Sequence, residues 1–333
     1  MVARLKDVAE RAGVSVKTVS NVVNGYAFVT EENRRRVQEA IDHLGYVPNI
    51  GARNLRKGRT GFLTLAVPEL VNPYFAELCG LVMSAAARHD WTVLIEQTGG
   101  VRDQEMAVIN MAHRSLVDAI IISPIDLRPT DLAQAAAGTP LVLLGERALH
   151  APAHHVAIDN VAAATTATRH LVDLGRRRIA AIGEQPGRHG TAALRLDGYL
   201  SALQAAGITP DPALTVRAEA YSRAEGAAAM RRLLDLPEPP DAVFCFNDLL
   251  AIGALSAARD RGLSVPGDIA VVGFDGVDEG NYSAPQLTTI APDKAAIAEA
   301  AINLARAAVH DDALDPQDIV TPFTLVVRGS TVA

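Results

Sequence analysis

The sequence predicts two dissimilar units: a small all-α headpiece built on a helix-turn-helix, then a large α/β body of two Rossmann-like lobes. Three observations carry that expectation. Helical periodicity with glycine stops fills the first 45 residues, short apolar runs alternate with amphipathic segments from residue 61 onward, and charge divides unevenly between the two regions. The chain has 333 residues, more than one domain usually holds, and its 49% hydrophobic content supports large buried cores. Residues 1–60 hold 11 Lys and Arg against 6 Asp and Glu, whereas the remainder holds 20 against 32. The overall charge of −7 therefore hides a basic head on an acidic body, and only the head suits a polyanion.

In "LKDVAERAGVSVKTVSNVVNG", Leu5, Val8, Ala9 and Ala12 follow the i, i+3, i+4, i+7 spacing of one helix face. Gly13 ends that helix, and Ser15 suits the N-cap of a second, whose inward face is Val19, Val22 and Val23. A third helix begins at the Thr30 cap with Glu31 and Glu32 at its positive end. It carries the stripe Val37, Ala40, Ile41 and Leu44 and stops at Gly45. The outward face of the second helix presents Val16, Lys17, Ser20 and Asn21. A major groove admits such a helix, with its first residues at base edges. A solvated face of a small helical domain is the plain alternative.

The connector "PNIGARNLRKGRTG" weighs against that alternative. Arg53, Arg56, Lys57 and Arg59 cluster without an acid, and Leu55 sits among them. Two helical turns are too short to be stable alone. Phosphates would draw the cations into place, coupling folding to binding. Leu55 then suits an apolar wedge entering the minor groove.

In the body, strands are expected at "FLTLAVP", "WTVLIEQ", "AIIISP", "PLVLLGE", "HVAID", "RIAAIGE", "LTVRAEA", "DAVFCF" and "IAVVGFDG". Helices are expected at Pro73–His89, Thr191–Ala206 and Asn247–Arg261, among others. Short apolar strands alternating with helices imply parallel sheets covered on both faces, and nine strands exceed one compact sheet. Such sheets bind ligands beyond the carboxyl ends of their strands. Those ends offer Asn72, Tyr74, Phe75, Gln97, Ser123, Glu146, Arg147, Asp159, Tyr221, Asn247, Asp248 and Asp275, with Arg195 opening a nearby helix. Carboxylates, amides, an arginine and aromatics suit a hydroxyl-rich small molecule. Asn160, Asn247 and Asp248 equally suit helix caps, and Tyr74 and Phe75 equally suit a core.

Other chemistries find little support. There is no G-x-S-x-G elbow, no Walker loop and no G-x-G-x-x-G. Asp159 and Asp275 resemble a glycosidase pair only superficially, because an arginine and an asparagine beside them suit binding better. Cys79 and Cys245 lie in apolar stretches, and His154 and His155 lack a companion at metal spacing. No enzyme activity, metal or cofactor is expected. The start "MVARLKDVAERAG" has no apolar signal core and no run approaches a membrane span, so a cytoplasmic protein without membrane contact is expected rather than a secreted solute-binding protein.

The segments "LKDVAERAGVSVKTVSNVVNG", "VTEENRRRVQEAIDHLGYVPN" and "ARNLRKGRT" resemble the N-terminus of the lactose-repressor/galactose-repressor (LacI) family. "NPYFAEL", "VDAIIISP", "RLDGYLSALQAAGI", "DAVFCFNDLLAIGALSAARDRGLSVPGDIAVVGFDG" and "PQLTTI" resemble its effector domain in order. The resemblance implies a helix-turn-helix DNA-binding headpiece at 1–48, a hinge helix at 49–60 and a periplasmic-binding-protein-like body at 61–333. Lobe 1 would take about 61–159 and 290–318, and lobe 2 about 160–289 and 319–333. It implies DNA contacts at Lys6, Ser15, Val16, Lys17, Thr18, Ser20, Asn21, Asn24, Tyr26, Ala52, Leu55 and Arg56. Many members carry arginine where this chain has Asn21, so the operator sequence is not transferable.

For the effector, the resemblance implies strong polar contacts at Arg195, Asn247 and Asp275, support from Asp159 and Tyr221, and a position at Lys294 where some sugar-responsive relatives carry an aromatic. A neutral carbohydrate-like effector and an acidic or phosphorylated one both remain open. The implied function is a repressor, working as a homodimer on a near-palindromic double-stranded operator, with affinity set by a small molecule between the lobes. The sequence ends on "LVVRGSTVA" without a heptad tail, so a dimer is expected rather than a tetramer.

Overall fold

The computed structural model describes residues 3–23, 26–46, 59–112, 116–128, 130–132, 140–145, 153–185, 190–311 and 314–332. The chain divides into two units, Met1–Thr60 and Gly61–Ala333. Among the expected site residues, Asn24, Ala52, Leu55, Arg56 and Arg147 lie outside the described residues, as do Arg53, Lys57 and Glu146.

Three helices build the first unit: α1 (Leu5–Ala12), α2 (Val16–Val23) and α3 (Glu31–Leu44). Gly13 ends α1 with a left-handed φ of 64°, and its carbonyl accepts from Arg36 of α3 at 3.3 Å. The Ser15 hydroxyl accepts from the Thr18 amide at 3.0 Å, and Thr30 does the same for Asn33 at the start of α3. Val8, Ala9, Ala12, Val19, Val22, Val37, Ala40 and Tyr46 are buried, with Leu5, Ile41 and Leu44 packed against them. Apolar spacing and caps thus agree on one small core.

The second unit holds two six-stranded sheets. The first orders its strands β11-β5-β4-β3-β1-β2, with β1 (Phe62–Val67), β2 (Thr92–Gln97), β3 (Ala119–Ile122), β4 (Leu141–Leu144), β5 (His154–Ala157) and β11 (Asp318–Val320). The second orders them β12-β10-β9-β8-β6-β7, with β6 (Ile179–Glu184), β7 (Thr215–Arg217), β8 (Ala242–Cys245), β9 (Ala270–Phe274), β10 (Thr288–Pro292) and β12 (Phe323–Val326). All pairs are parallel except β10 with β12. The nine expected strands are present, and β10, β11 and β12 add to them. "LTVRAEA" shortens to the three residues of β7.

The described helices of the body are α4 (Pro73–Ala87), α5 (Arg102–Ala112), α6 (Asn160–Asp173), α7 (Thr191–Ala205), α8 (Arg223–Leu234), α9 (Asp248–Asp260), the short α10 (Glu279–Tyr282) and α11 (Lys294–His310). In α8 and α9, Gly226 and Gly253 have no room for a side chain: a Cβ would lie 2.1 Å and 2.0 Å from the facing backbone carbonyls. The chain leaves the first sheet after β5, returns through α11, which packs on α4, β3, β4 and β5, and leaves again between β11 and β12. The sequence placed these later exchanges at about 290 and 319, whereas β10 runs to Pro292 and β11 to Val320 before the chain crosses. Lobe 1 is the first sheet with α4, α5 and α11; lobe 2 is the second with α6 to α10.

Candidate functional site

On the headpiece, Val16 is 47% exposed at the first turn of α2 and Lys17 is exposed beside it. Thr18, Ser20 and Asn21 are half-buried. Ser15 is exposed and also caps the helix, while Lys6 of α1 is exposed and lies 3.9 Å from Glu10. Tyr26 is 59% exposed, and Phe28, which sequence reasoning passed over, is almost fully so. Val19 and Val22 turn inward, so Val16 and Lys17 are carried on the exposed side of α2.

In the body, both sheets reverse strand order at corresponding points, between β1 and β3 and between β6 and β8. Crevices open beyond the carboxyl ends of strands at such switch points. There the two lobes enclose a cleft of about 290 Å³. This lies at the lower end of small-molecule sites, roughly 300–1,000 Å³. Eight expected residues line it: Asn72, Tyr74, Phe75, Ser123, Arg195, Tyr221, Asn247 and Asp275. Glu69, Asn160, Gln185, Thr191 and Glu219 line it as well. Gln97, Asp159 and Lys294 do not: Gln97 accepts from the Leu70 amide, Asp159 caps α6 through the Ala162 amide, and Lys294 turns onto backbone carbonyls.

Arg195 is the centre of the polar wall. Its Nε donates to Asn160 Oδ1 at 3.0 Å, one terminal nitrogen donates to the Phe246 carbonyl, and the other lies 3.8 Å from Asp275 Oδ1. The guanidinium sits 3.6 Å above the Phe274 ring. A planar fork held on two edges and one face cannot swing, so its remaining donors point one way. Asn247 serves twice. Its Oδ1 caps α9 through the Leu250 amide at 2.8 Å, and its amide nitrogen donates to the Tyr221 carbonyl at 3.3 Å. Tyr221 in turn anchors its hydroxyl on the Gly183 carbonyl at 2.8 Å. On the opposite wall, Asn72 accepts from the Tyr74 amide and starts α4, placing Tyr74 and Phe75 edge to face at 5.3 Å.

Asp275 follows β9 with φ 111°, a strained value for a residue with a side chain. Burial pushes its carboxyl up to about 6, against the pull of Arg195 and Lys294 and with a small push from Glu77. Behind it, Asp248 accepts from Thr289 Oγ1 at 2.6 Å and from the Val277 amide at 2.8 Å. Burial first, and Asp275 next, push Asp248 up to about 8. It does not line the cleft. Burial likewise raises the Tyr74 phenol. A wall combining charged and amide groups, facing aromatic rings, can hold a polar ring-shaped molecule by paired hydrogen bonds and a stack. Among the described residues no cluster of His, Cys, Asp or Glu could hold a metal ion, and no helix is long and apolar enough to cross a membrane.

Comparison with known proteins bears on both units. Residues 4–49 match the family of bacterial regulatory proteins, lacI family, and residues 168–331 match the periplasmic binding protein-like domain. The HTH-type transcriptional repressor CytR of Escherichia coli (strain K12) is 34% identical over 336 residues, covering 99% of this chain and 97% of its own length. A complex of the transcriptional regulator CelR with cellobiose is 31% identical, with a TM-score of 0.73 over 98% of this chain and 99% of that one. The lac repressor dimer bound to operator and the anti-inducer ONPF is 26% identical, with a TM-score of 0.88 over the whole of both chains.

Proposed function

The chain belongs to the lacI family of bacterial regulatory proteins, DNA-binding regulators under effector control, and from that premise we propose a repressor that senses a neutral, hydroxyl-rich small molecule in its interlobe cleft. The observation that carries the ligand class is the rigid Arg195–Asn160–Asp275 wall facing Tyr74 and Phe75. Arg195 is opposed by Asp275, and Lys294 by Glu77 at 2.9 Å, so neither cation is left over for a phosphate or carboxylate. A carbohydrate or related metabolite is therefore favoured over an acidic one. The cellobiose held by CelR is a ligand of this chemistry.

One headpiece reaches few base pairs, so specificity requires two, and a two-fold homodimer supplies them on a near-palindromic operator. Two connectors would then meet over the central step, where Leu55 acts as the wedge. A coupling of only ~1–3 kcal/mol between cleft and connector suffices to recruit or release DNA. The protein works in the cytoplasm, binding its ligand without turnover. The test is capture of sheared genomic DNA on the purified full-length protein, followed by sequencing. A shared palindrome of ~14–20 bp is expected. Enrichment of single half-sites, or none with and without metabolite extract, would sink the proposal.

A further inference from the structure

Lys294 belongs to lobe 1 by its backbone. It is the first residue of α11, whose contacts are with α4, β3, β4 and β5. Its side chain nevertheless crosses to lobe 2. The ammonium donates to the Asp275 carbonyl at 2.9 Å and the Gly276 carbonyl at 2.8 Å, and pairs with Glu77 Oε2 of α4 at 2.9 Å. Three partners match three donors, so the ammonium is fully used. Glu77 completes the ring by accepting, through Oε1, from the Asp278 amide of lobe 2 at 3.2 Å. Two lobe 1 side chains thus hold one lobe 2 turn from both its carbonyls and its amide.

That turn is the one whose geometry needs holding. Asp275 has its strained φ of 111°, and Gly276 follows at φ 60°, where a Cβ would lie 2.6 Å from Ala291. The Lys294 side chain is only 12% exposed and its Nζ lies 5.6 Å from the Tyr74 ring, directly behind the cleft wall. Separating the lobes would strand a buried ammonium and the carbonyls it covers, which is costly.

We infer that Lys294 and Glu77 form an interlobe clasp: Lys294 is a positioning residue that fixes the Asp275 carboxylate against Arg195 and keeps the lobes together before any ligand enters. The role for Asp275 rests on the cleft being the effector site; the clasp itself does not. The ligand then enters a cleft already assembled, and the response depends on how far it shifts a pre-existing lobe equilibrium.

The test uses full-length, ligand-free protein without DNA. Spin labels are placed by Gln104→Cys on α5 and Arg232→Cys on α8, both exposed, while native Cys79 and Cys245 are buried. Interlobe distances are then compared with and without Lys294→Met, and separately Glu77→Gln. One narrow distance is expected in the parent, and a broader distribution with a longer component in each variant. Amide exchange at Gly276, Val277 and Asp278 should quicken about tenfold or more, the least that one lost charge-assisted bond implies. An unchanged distance and unchanged exchange, with only a lower melting temperature, would reduce the pair to an ordinary stabilising contact. Should Lys294→Met fail to fold, the half-exposed Glu77→Gln decides alone. Neither result depends on ligand or operator binding, so the clasp and the proposed function fail separately.

Discussion

The two lobes share one strand order, 2-1-3-4-5 in each half, yet they bring different chemistry to the cleft. Lobe 2 contributes a buried network of Arg195, Asn160 and Asp275, backed by Asp248 and Thr289, with Asn247 beside it on the Tyr221 carbonyl. Lobe 1 contributes mainly rings and short polar groups, Tyr74, Phe75, Asn72 and Ser123, along with the exposed carboxylate of Glu69. A buried network is costly to disturb and directional, so it orients a ligand. A ring wall is tolerant and area-driven, so it covers one. The same architecture therefore offers one half suited to orienting a ligand and one suited to covering it.

The largest expected effect comes from removing the centre of the orienting half. Arg195→Ala leaves Asp275, Asn160 and the Phe246 carbonyl buried without their donor, and should cost ~3–5 kcal/mol in denaturant unfolding. Operator binding should persist while the effector response disappears. A loss of under about 1 kcal/mol would mean lobe 2 holds no such network.

Next comes the pH dependence that this network creates. Asp275 is raised to about 6 and Asp248 to about 8, both above the ordinary carboxylate range. Between roughly pH 4 and 8 the folded state holds protons the unfolded chain has released, so their contribution is full below about pH 4 and is lost as pH rises through 6 and then 8. Glu105 of lobe 1 is raised by burial too, which makes a variant comparison necessary. Wild type should lose more stability from pH 5 to pH 8 than Asp275→Asn does. Equal losses would show that Asp275 takes up no proton in this range.

Smaller effects belong to the covering half and to the cap. Tyr74→Leu should leave the unfolding midpoint nearly unchanged and weaken ligand binding by up to about tenfold, the worth of one aromatic contact. A calorimetric loss of a hundredfold would make lobe 1 an orienting wall as well. Asp159→Ala should cost about 1 kcal/mol through its lost cap on α6 and leave ligand affinity intact. A lost effector response there would put Asp159 in the cleft.

The contrast between Asp159 and Asn160 shows where sequence reasoning reaches its limit. Strand ends locate the site, because continuous runs such as "AIII" and "LVLL" are buried on both faces and their carboxyl ends must converge. Which of two adjacent polar residues caps and which faces the ligand is a matter of rotation about the helix axis. Asp159 takes the cap, and Asn160, one residue on, meets Arg195. Asn247 caps α9 and also lines the cleft, a combination that the choice between ligand and cap leaves out. Lys294 lies near the cleft, but the direction of its ammonium depends on carbonyls 18 and 19 residues away. The strands β11 and β12 were missed for a related reason. β11 is three residues on an exposed edge and β12 alternates weakly, so neither shows the apolar run that marks the central strands.

The most direct test of the account sets Arg195→Ala beside the wild type in genomic DNA capture, each with and without metabolite extract. Both proteins should enrich the same palindrome, and the extract should change occupancy for the wild type alone. An extract effect of equal size on both would place the sensing site outside the interlobe cleft and contradict the account.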